Sequence, residues 1–280
     1  MSIVLRKLTE KTELQQLEEL EAAVWSQASV IPLHMTMTLQ KFGGLFLGAF
    51  DEGRMIGFLY SFPGFRNGQP HLCSHMLGFL PEYRKLGLGV QMKWLQRDEA
   101  LRMGHTCITW TYDPLESVNA YLNIAKLGGI VRQYLPNCYG NLEDDMNRGL
   151  PTDRFLVEWF LNSERVICKH ADPSVQVSYG EEILPVLSYT CGVDGHPRVT
   201  TVADEFPAET IRVSVPSRFQ DLKKVDMAAA IAWREQTGAL FPKAFSAGYT
   251  VVHVHRSETE PVVHYVLSKS ISVLEGANVK

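Results

Sequence analysis

Paired cysteines are the first thing this sequence lacks. It has 5 cysteines, an odd number, and no Cys-x-x-Cys spacing. A disulfide framework is therefore not expected, and a reducing cytoplasm is the simplest compartment. No apolar run approaches the ~18 residues that a membrane helix needs. The first residues, Met1-Ser2-Ile3-Val4-Leu5-Arg6, lack the long apolar core of a signal peptide. A basic excess is missing too: 27 Lys and Arg against 31 Asp and Glu leave a net charge of −4, whereas nucleic-acid binders carry a basic face. Repeats and low-complexity stretches are absent. These absences argue against nucleic-acid and membrane partners. What remains is a globular chain of 280 residues, 45% hydrophobic, long enough for one large domain or two small ones.

The element signals come in a mixed order. Ile3 to Leu8 reads as a strand. Thr12, with Gln15 three residues on, reads as a helix cap, followed by Leu14, Leu17, Leu20 and Val24 at helical spacing. Residues 26 to 44 suggest a second short helix and a loop. Leu45 to Phe50 and Met55 to Phe62 form a hairpin about Asp51-Glu52-Gly53-Arg54. A turn at Pro63 to Gly68 leads to a strand from His71 to Leu80. A helix follows Gly89, with Trp94, Leu95 and Leu101 as its expected buried positions and Gly104 as its stop. Further strands are expected at Cys107 to Tyr112, Ile130 to Tyr134 and Phe155 to Phe160, with a helix from Val118 to Leu127. The pattern changes beyond residue 160. There a strand at Ile211 to Val215, a helix through Leu222, Val225, Ala229 and Trp233, and a hairpin of Tyr249 to His255 with Val262 to Leu267 suggest a smaller α+β unit. The expected domains are 1–160 and 161–280, in the α/β (α+β) class.

The chemistry concentrates in Leu77-Gly78-Phe79-Leu80-Pro81-Glu82-Tyr83-Arg84-Lys85-Leu86-Gly87-Leu88-Gly89. A strand ends at a proline, a short basic loop follows, and a helix begins. A helix N-terminus presents unpaired N–H groups and a partial positive charge, so it binds phosphates. Glycines at 87 and 89 would let such a group approach the backbone, and Arg84 and Lys85 add charge beside it. The spacing alone supports phosphate binding. A dinucleotide fingerprint would need a third glycine and a later acidic residue.

Arg84-x-x-Gly87-x-Gly89 between strand and helix resembles the acyl-CoA signature of the GNAT superfamily, and the order of elements over residues 1 to 160 is similar to the GNAT fold, a mixed central sheet flanked by helices. Thr109 to Leu115, Asn119 to Asn123 before Leu127-Gly128, and Gly149 to Arg154 resemble a branch with a C-terminal extension. The resemblance implies an acyltransferase. Its acetyl-CoA, or another acyl-CoA, would acylate the amine of a small molecule, an amino acid among the candidates, with no metal. Two alternatives stay open: an N-succinyltransferase of amino acids, and a module that binds CoA without catalysis.

The resemblance also assigns roles. Leu77, Gly78 and Phe79 would meet the pantetheine arm where their strand splays from the next. The amides of Lys85, Leu86, Gly87, Leu88, Gly89 and Val90 would hold the pyrophosphate, and Asn119 would bond the arm. An ammonium ion cannot attack a thioester, so a base is needed. His75 has a suitable pKa and, on strand alternation, shares a face with Leu77 and Phe79. Asp113 is a second base candidate. Family members place a tyrosine four residues before the closing glycine, to protonate the thiolate. Ile124 stands there, leaving Tyr121 or Tyr112 as substitutes. Asp153 and Arg154 would clamp a substrate carboxylate, or form a structural ion pair. Cys73 offers a covalent route, but no spacing supplies it with a base. In the C-terminal unit, Arg256 paired with Pro261 would set His253 facing His264 with His255 beside them, three imidazoles on one sheet face that could bind zinc or nickel. A solvated strand or a homodimer interface is the simpler expectation there.

Overall fold

The computed structural model describes residues 2–25, 30–66, 68–142, 144–173, 175 and 183–270. Residues 26–29 of the expected helix-and-loop stretch, and Asn67 of the expected turn, lie outside them. The chain divides into two compact units, residues 1–110 and 111–280.

The first unit opens with β1 (Ile3–Lys7), α1 (Lys11–Val24), α2 (Leu33–Lys41), β2 (Leu45–Asp51), β3 (Arg54–Arg66) and β4 (Gln69–Phe79). It continues with α3 (Leu88–Arg102) and the start of β5 (Cys107–Tyr112). This is the order that the resemblance implied. Strands β1 to β4 pair antiparallel in sequence order, and β5 joins parallel to β4. The buried stripe Leu14, Leu17 and Leu20 seats α1 on one face of this mixed sheet. There Tyr60 of β3 donates to buried Glu21 of α1 at 2.8 Å. Helix α3 covers the other face.

Three local expectations change. The cap of α1 is Glu10, not Thr12: Glu13 accepts from the Glu10 and Thr9 amides at 3.1 and 2.8 Å. A carboxylate at the third position reaches back to the chain entry better than Gln15 does from further inside. The turn expected from Pro63 is strand instead. Pro63, Gly64 and Phe65 pair with Leu72, His71 and Pro70, because prolines on facing edges cost few ladder bonds. The buried stripe of α3 is Leu88, Met92, Gln96 and Ala100 with Lys93. Trp94, Leu95 and Leu101 are only half-buried.

The second unit contains α4 (Ser117–Ala120), continued as a π-helical turn over Tyr121–Lys126, then β6 (Ile130–Leu135), β7 (Arg154–Phe160) and α5 (Glu164–Ala171). Short strands β8 (Leu184–Pro185), β9 (Leu187–Cys191) and β10 (Pro197–Val202) precede β11 (Thr210–Pro216). Next come α6 (Phe219–Val225), α7 (Met227–Ser246), β12 (Thr250–Arg256) and β13 (Val262–Ser268). Strands β7, β6, β12, β13, β11 and β8 are neighbours in that order, while β9 and β10 form their own hairpin. Residues 111–160 thus share a sheet with strands beyond the expected boundary at 160. The single helix expected through Leu222 and Trp233 is two. Asp226, extended at φ −150°, ends α6 and caps α7 by accepting from the Ala229 amide at 2.9 Å.

The helix expected over Val118–Leu127 widens to π geometry at Tyr121. Its end is held by side chains: Trp159 donates to the Leu127 carbonyl at 2.7 Å, and buried Arg165 donates to those of Gly128, Ile124 and Val252. The core of this unit is aromatic. Phe155 meets Phe241 edge-on at 4.6 Å between ring centres and also contacts Tyr112, Tyr134 and Tyr265. Such edge contacts stabilise beyond simple burial. Phe155→Ala is expected to cost about 3–5 kcal/mol. Urea unfolding measures this, and a loss below about 1 kcal/mol would refute the central role of the ring.

Candidate functional site

Strand β4 pairs with β5 at only two positions, Leu72 with Ile108 and Cys73 with Thr109. From Ser74 to Phe79 it pairs with β3 on one side and, within the first unit, with no strand on the other. Opposite β3 the register shifts: Ser74 faces Ser61 and Met76 faces Tyr60, so His75 is an extra residue, a β-bulge.

The chain leaves β4 through Pro81–Tyr83 and enters α3 at Gly87, whose φ of +73° is left-handed. Glycine takes this conformation without the strain of a side chain. Arg84 is tied back, its Nε donating to the Phe79 carbonyl at 3.0 Å. The Leu86 amide is used by Tyr83, and that of Val90 by Gly87. The amides of Lys85, Gly87, Leu88 and Gly89 find no acceptor among the described residues. A Cβ on Gly87 would meet nothing within 4 Å, and one on Gly89 only Leu77, at 3.9 Å. The chain's own packing does not require a bare backbone at 89.

Beneath the bulge lies a polar group that the sequence reading missed. Lys93 of α3 is 3% exposed. Its Nζ donates to Ser74 Oγ at 3.1 Å and to Gln96 Oε1 at 2.9 Å, and sits 3.6 Å above the Trp110 ring. Gln96 in turn donates to Ser61 Oγ at 3.2 Å. The lysine thus braces both strands at the pair where the register shifts. Burial pushes its pKa down to about 7. The available signal was the ladder Leu88, Met92, Gln96, Ala100 at four-residue spacing, which turns the adjacent lysine inward.

The bulge also alters the expectation for His75. Its ring contacts Tyr60 and Phe62, at 5.7 and 5.8 Å between centres, on the side where Tyr60 meets α1. Leu77 lies towards Gly89 instead. The extra residue breaks the alternation that would have put His75 and Leu77 on one face. His75 remains exposed, and partial desolvation of its ring lowers its pKa. Burial raises the Cys73 thiol, keeping it protonated. Gly78 is buried against Phe58 and Val24, and Phe79 packs over Gly57.

The remaining expected residues lie in the second unit. Asp113 is ion-paired to Arg234, and to Arg154 at 3.7 Å. Arg154 also donates to Asn147 at 2.9 Å, and Asp153 accepts from Tyr134 at 2.5 Å and the Asn137 amide at 2.8 Å. These are the contacts of a structural ion-pair network. Arg234, 3% exposed, was not anticipated; its Nε and Nη1 are buried without a hydrogen-bond partner. Tyr121 is half-buried, with the Lys126 ammonium 5.5 Å from its ring. Asn119 is half-buried, and Ile124 is fully buried. Tyr112 is enclosed too, its hydroxyl 3.3 Å from that of Tyr265, and burial raises its pKa.

His264 pairs with His255, not His253, because the hairpin closes with Arg256 opposite Val263 rather than Pro261. Burial, with Arg165 and Lys169 opposing its charge, pushes His253 down to about 4. Among the described residues no cluster of His, Cys, Asp and Glu could hold a metal, and no helix is long and apolar enough to cross a membrane.

No protein-family model and no curated protein matches the sequence. Several solved structures match part of the chain. One is the acetyltransferase of GNAT family from Streptococcus pneumoniae, at 16% identity and a TM-score of 0.47, over 56% of this chain and 98% of that one. Another is the NatC complex bound to Gag peptide and CoA, at 17% identity and 0.46, over 56% and 98%. A third is aminoglycoside 6'-acetyltransferase type Ii, at 16% and 0.45, over 56% and 97%.

Lys93 supplies a pH test. Its ordinary pKa of 10.5 falls to about 7 on folding. Between these values the unfolded chain keeps a proton that the folded one has lost, so stability rises with pH. Urea unfolding of wild type and Lys93→Met at pH 6 to 9.5 should show the difference moving in favour of wild type as pH rises. A difference independent of pH would mean that Lys93 is not desolvated.

Proposed function

We propose that this chain is an acyl-CoA-dependent N-acyltransferase that acylates the amine of a small molecule. The observation that carries the reading is the start of α3. Its amides at Gly87, Leu88 and Gly89 have no acceptor, and the space above the two glycines is left empty by the chain itself. This fits the pyrophosphate of a CoA thioester, with Lys85 adding charge. The open edge of β4 from Ser74 to Phe79 fits the pantetheine arm, whose amides need backbone partners.

Bound CoA would supply the activated acyl group. The chain's share is to hold it, to orient the amine and to take its proton. We assign the base to His75. It is solvent-accessible, its lowered pKa leaves the ring neutral near pH 7, and it sits at the bulge beside the open strand edge. Tyr121 is the assigned acid in place of the buried Ile124.

Two experiments test this. Gly89→Val should leave thermal stability unchanged or slightly higher, because glycine inside a helix costs about 0.5–1 kcal/mol. It should weaken CoA binding at least tenfold by calorimetry; unchanged affinity would remove the pyrophosphate assignment. For the base, kcat/KM with acetyl-CoA and an amine panel should fall as pH drops through the lowered His75 pKa, since the protonated ring accepts nothing. His75→Ala should lower the plateau by about 10²–10⁴-fold and erase that limb. An intact acid limb in the variant would exclude His75.

A further inference from the structure

Strands β11, β13 and β12 align Ser214, His264 and His255 in one cross-strand row. Ser214 Oγ lies 3.0 Å from His264 Nδ1, and His264 Nε2 lies 2.5 Å from Glu260 Oε2. Ser214 and His264 are 2% and 4% exposed, while the Glu260 side chain is 45% exposed. An ionised carboxylate can only accept, so Nε2 carries the imidazole proton. Nδ1 is then the acceptor, and the Ser214 hydroxyl donates to it. The bond from His264 holds the Glu260 carboxyl low, and burial keeps His264 below its ordinary value, so the ring is neutral near pH 7.

This chain of groups opens on a cavity of about 280 Å³ that Arg212 and Tyr189 also line. Arg212 lies two residues before Ser214 on the same strand, hence on the same face. Its Nε is buried without a hydrogen-bond partner. A serine–histidine bond that only glued strands together would need neither the carboxylate, nor the cavity, nor an unpaired cationic donor beside it.

We propose that Ser214, His264 and Glu260 form a second active site that hydrolyses short-chain carboxylic esters. Ser214 Oγ attacks the ester carbonyl carbon while its proton passes to His264 Nδ1. Glu260 holds the ring and balances the imidazolium. The oxyanion of the tetrahedral adduct is stabilised by the charge of the Arg212 guanidinium, which lines the cavity. On collapse, the bond to the leaving oxygen breaks and that oxygen takes the proton from Nδ1, releasing an alcohol. Water then adds to the acyl-serine, giving its proton to Nδ1. The acyl–Oγ bond breaks, Oγ takes the proton back, and the carboxylic acid departs. The two ring nitrogens are exchanged relative to a serine protease, but the proton balance is the same. The cavity volume limits the acyl and alcohol parts to a few carbons each. This activity is independent of acyl transfer from CoA.

The test is labelling of the intact protein with a fluorophosphonate probe, mapped by peptide mass spectrometry, alongside hydrolysis of p-nitrophenyl acetate. A single adduct on Ser214 is expected. It should be absent in Ser214→Ala and form at least tenfold more slowly in His264→Gln, with ester hydrolysis falling in parallel. Circular dichroism checks that both variants are folded. The wild-type labelling decides the matter even if one of them is not. No adduct on Ser214, or an unchanged labelling rate in folded His264→Gln, would overturn the proposal.

Discussion

An ammonium group sealed beneath a sheet sets the geometry of the first unit. Lys93 cannot reach water, so its three N–H bonds must be met from inside. Ser74, Gln96 and the Trp110 face meet them, and Gln96 passes the connection to Ser61. The two serines are the cross-strand pair at which the register shifts. Holding that pair fixes where His75 is looped out and where β4 stops matching its parallel neighbour. The open strand edge and the amides at the start of α3 therefore depend on one buried amine, whose desolvation cost is offset only while its partners are present.

Much of this organisation was legible in the sequence. Alternating and helical apolar patterns gave the order from β1 to β5, and the Pro81 to Gly89 stretch marked the strand-to-helix turn. What escaped reading was polar and buried. The helical ladder beside Lys93 hints that it turns inward, but only the facing Ser61, Ser74 and Tyr60, many residues away, make the burial of Lys93 and Glu21 tolerable. Bulges escaped for a related reason. One extra residue at His75 or at Val252 leaves composition and periodicity almost unchanged, yet reverses which side chains share a face. That is why His75 parts from Leu77. The meeting of His255 with His264 has another cause, the closing of its hairpin at Arg256 and Val263 instead of Arg256 and Pro261. Asp226 is the opposite case: a cap signal that was present inside a stretch read as continuous helix.

The second unit solves its packing differently. Its core is a set of aromatic rings meeting edge to face around Phe155, and its buried charges sit at the margins of that core. Arg165 serves carbonyls from the π-helical turn and from β12, tying a helix end to a strand. Arg234 is less completely served, and Arg212 likewise keeps an unused nitrogen. Unmet donors of this kind are costly in a folded chain, so they mark places where the fold has given up stability for something else.

Gly89 carries the same message with the opposite sign. Unused donors lower stability at Arg234 and Arg212, whereas at Gly89 a side chain would fit and the helix would gain from it. A chain drifting under selection for thermal tolerance alone would lose this glycine early, since neither sterics nor backbone conformation defends it. On the proposed reading, the glycine is a record of the bound pyrophosphate rather than of a need of the fold. Stabilising this protein by sequence design would erase that record first, unless the position were held fixed.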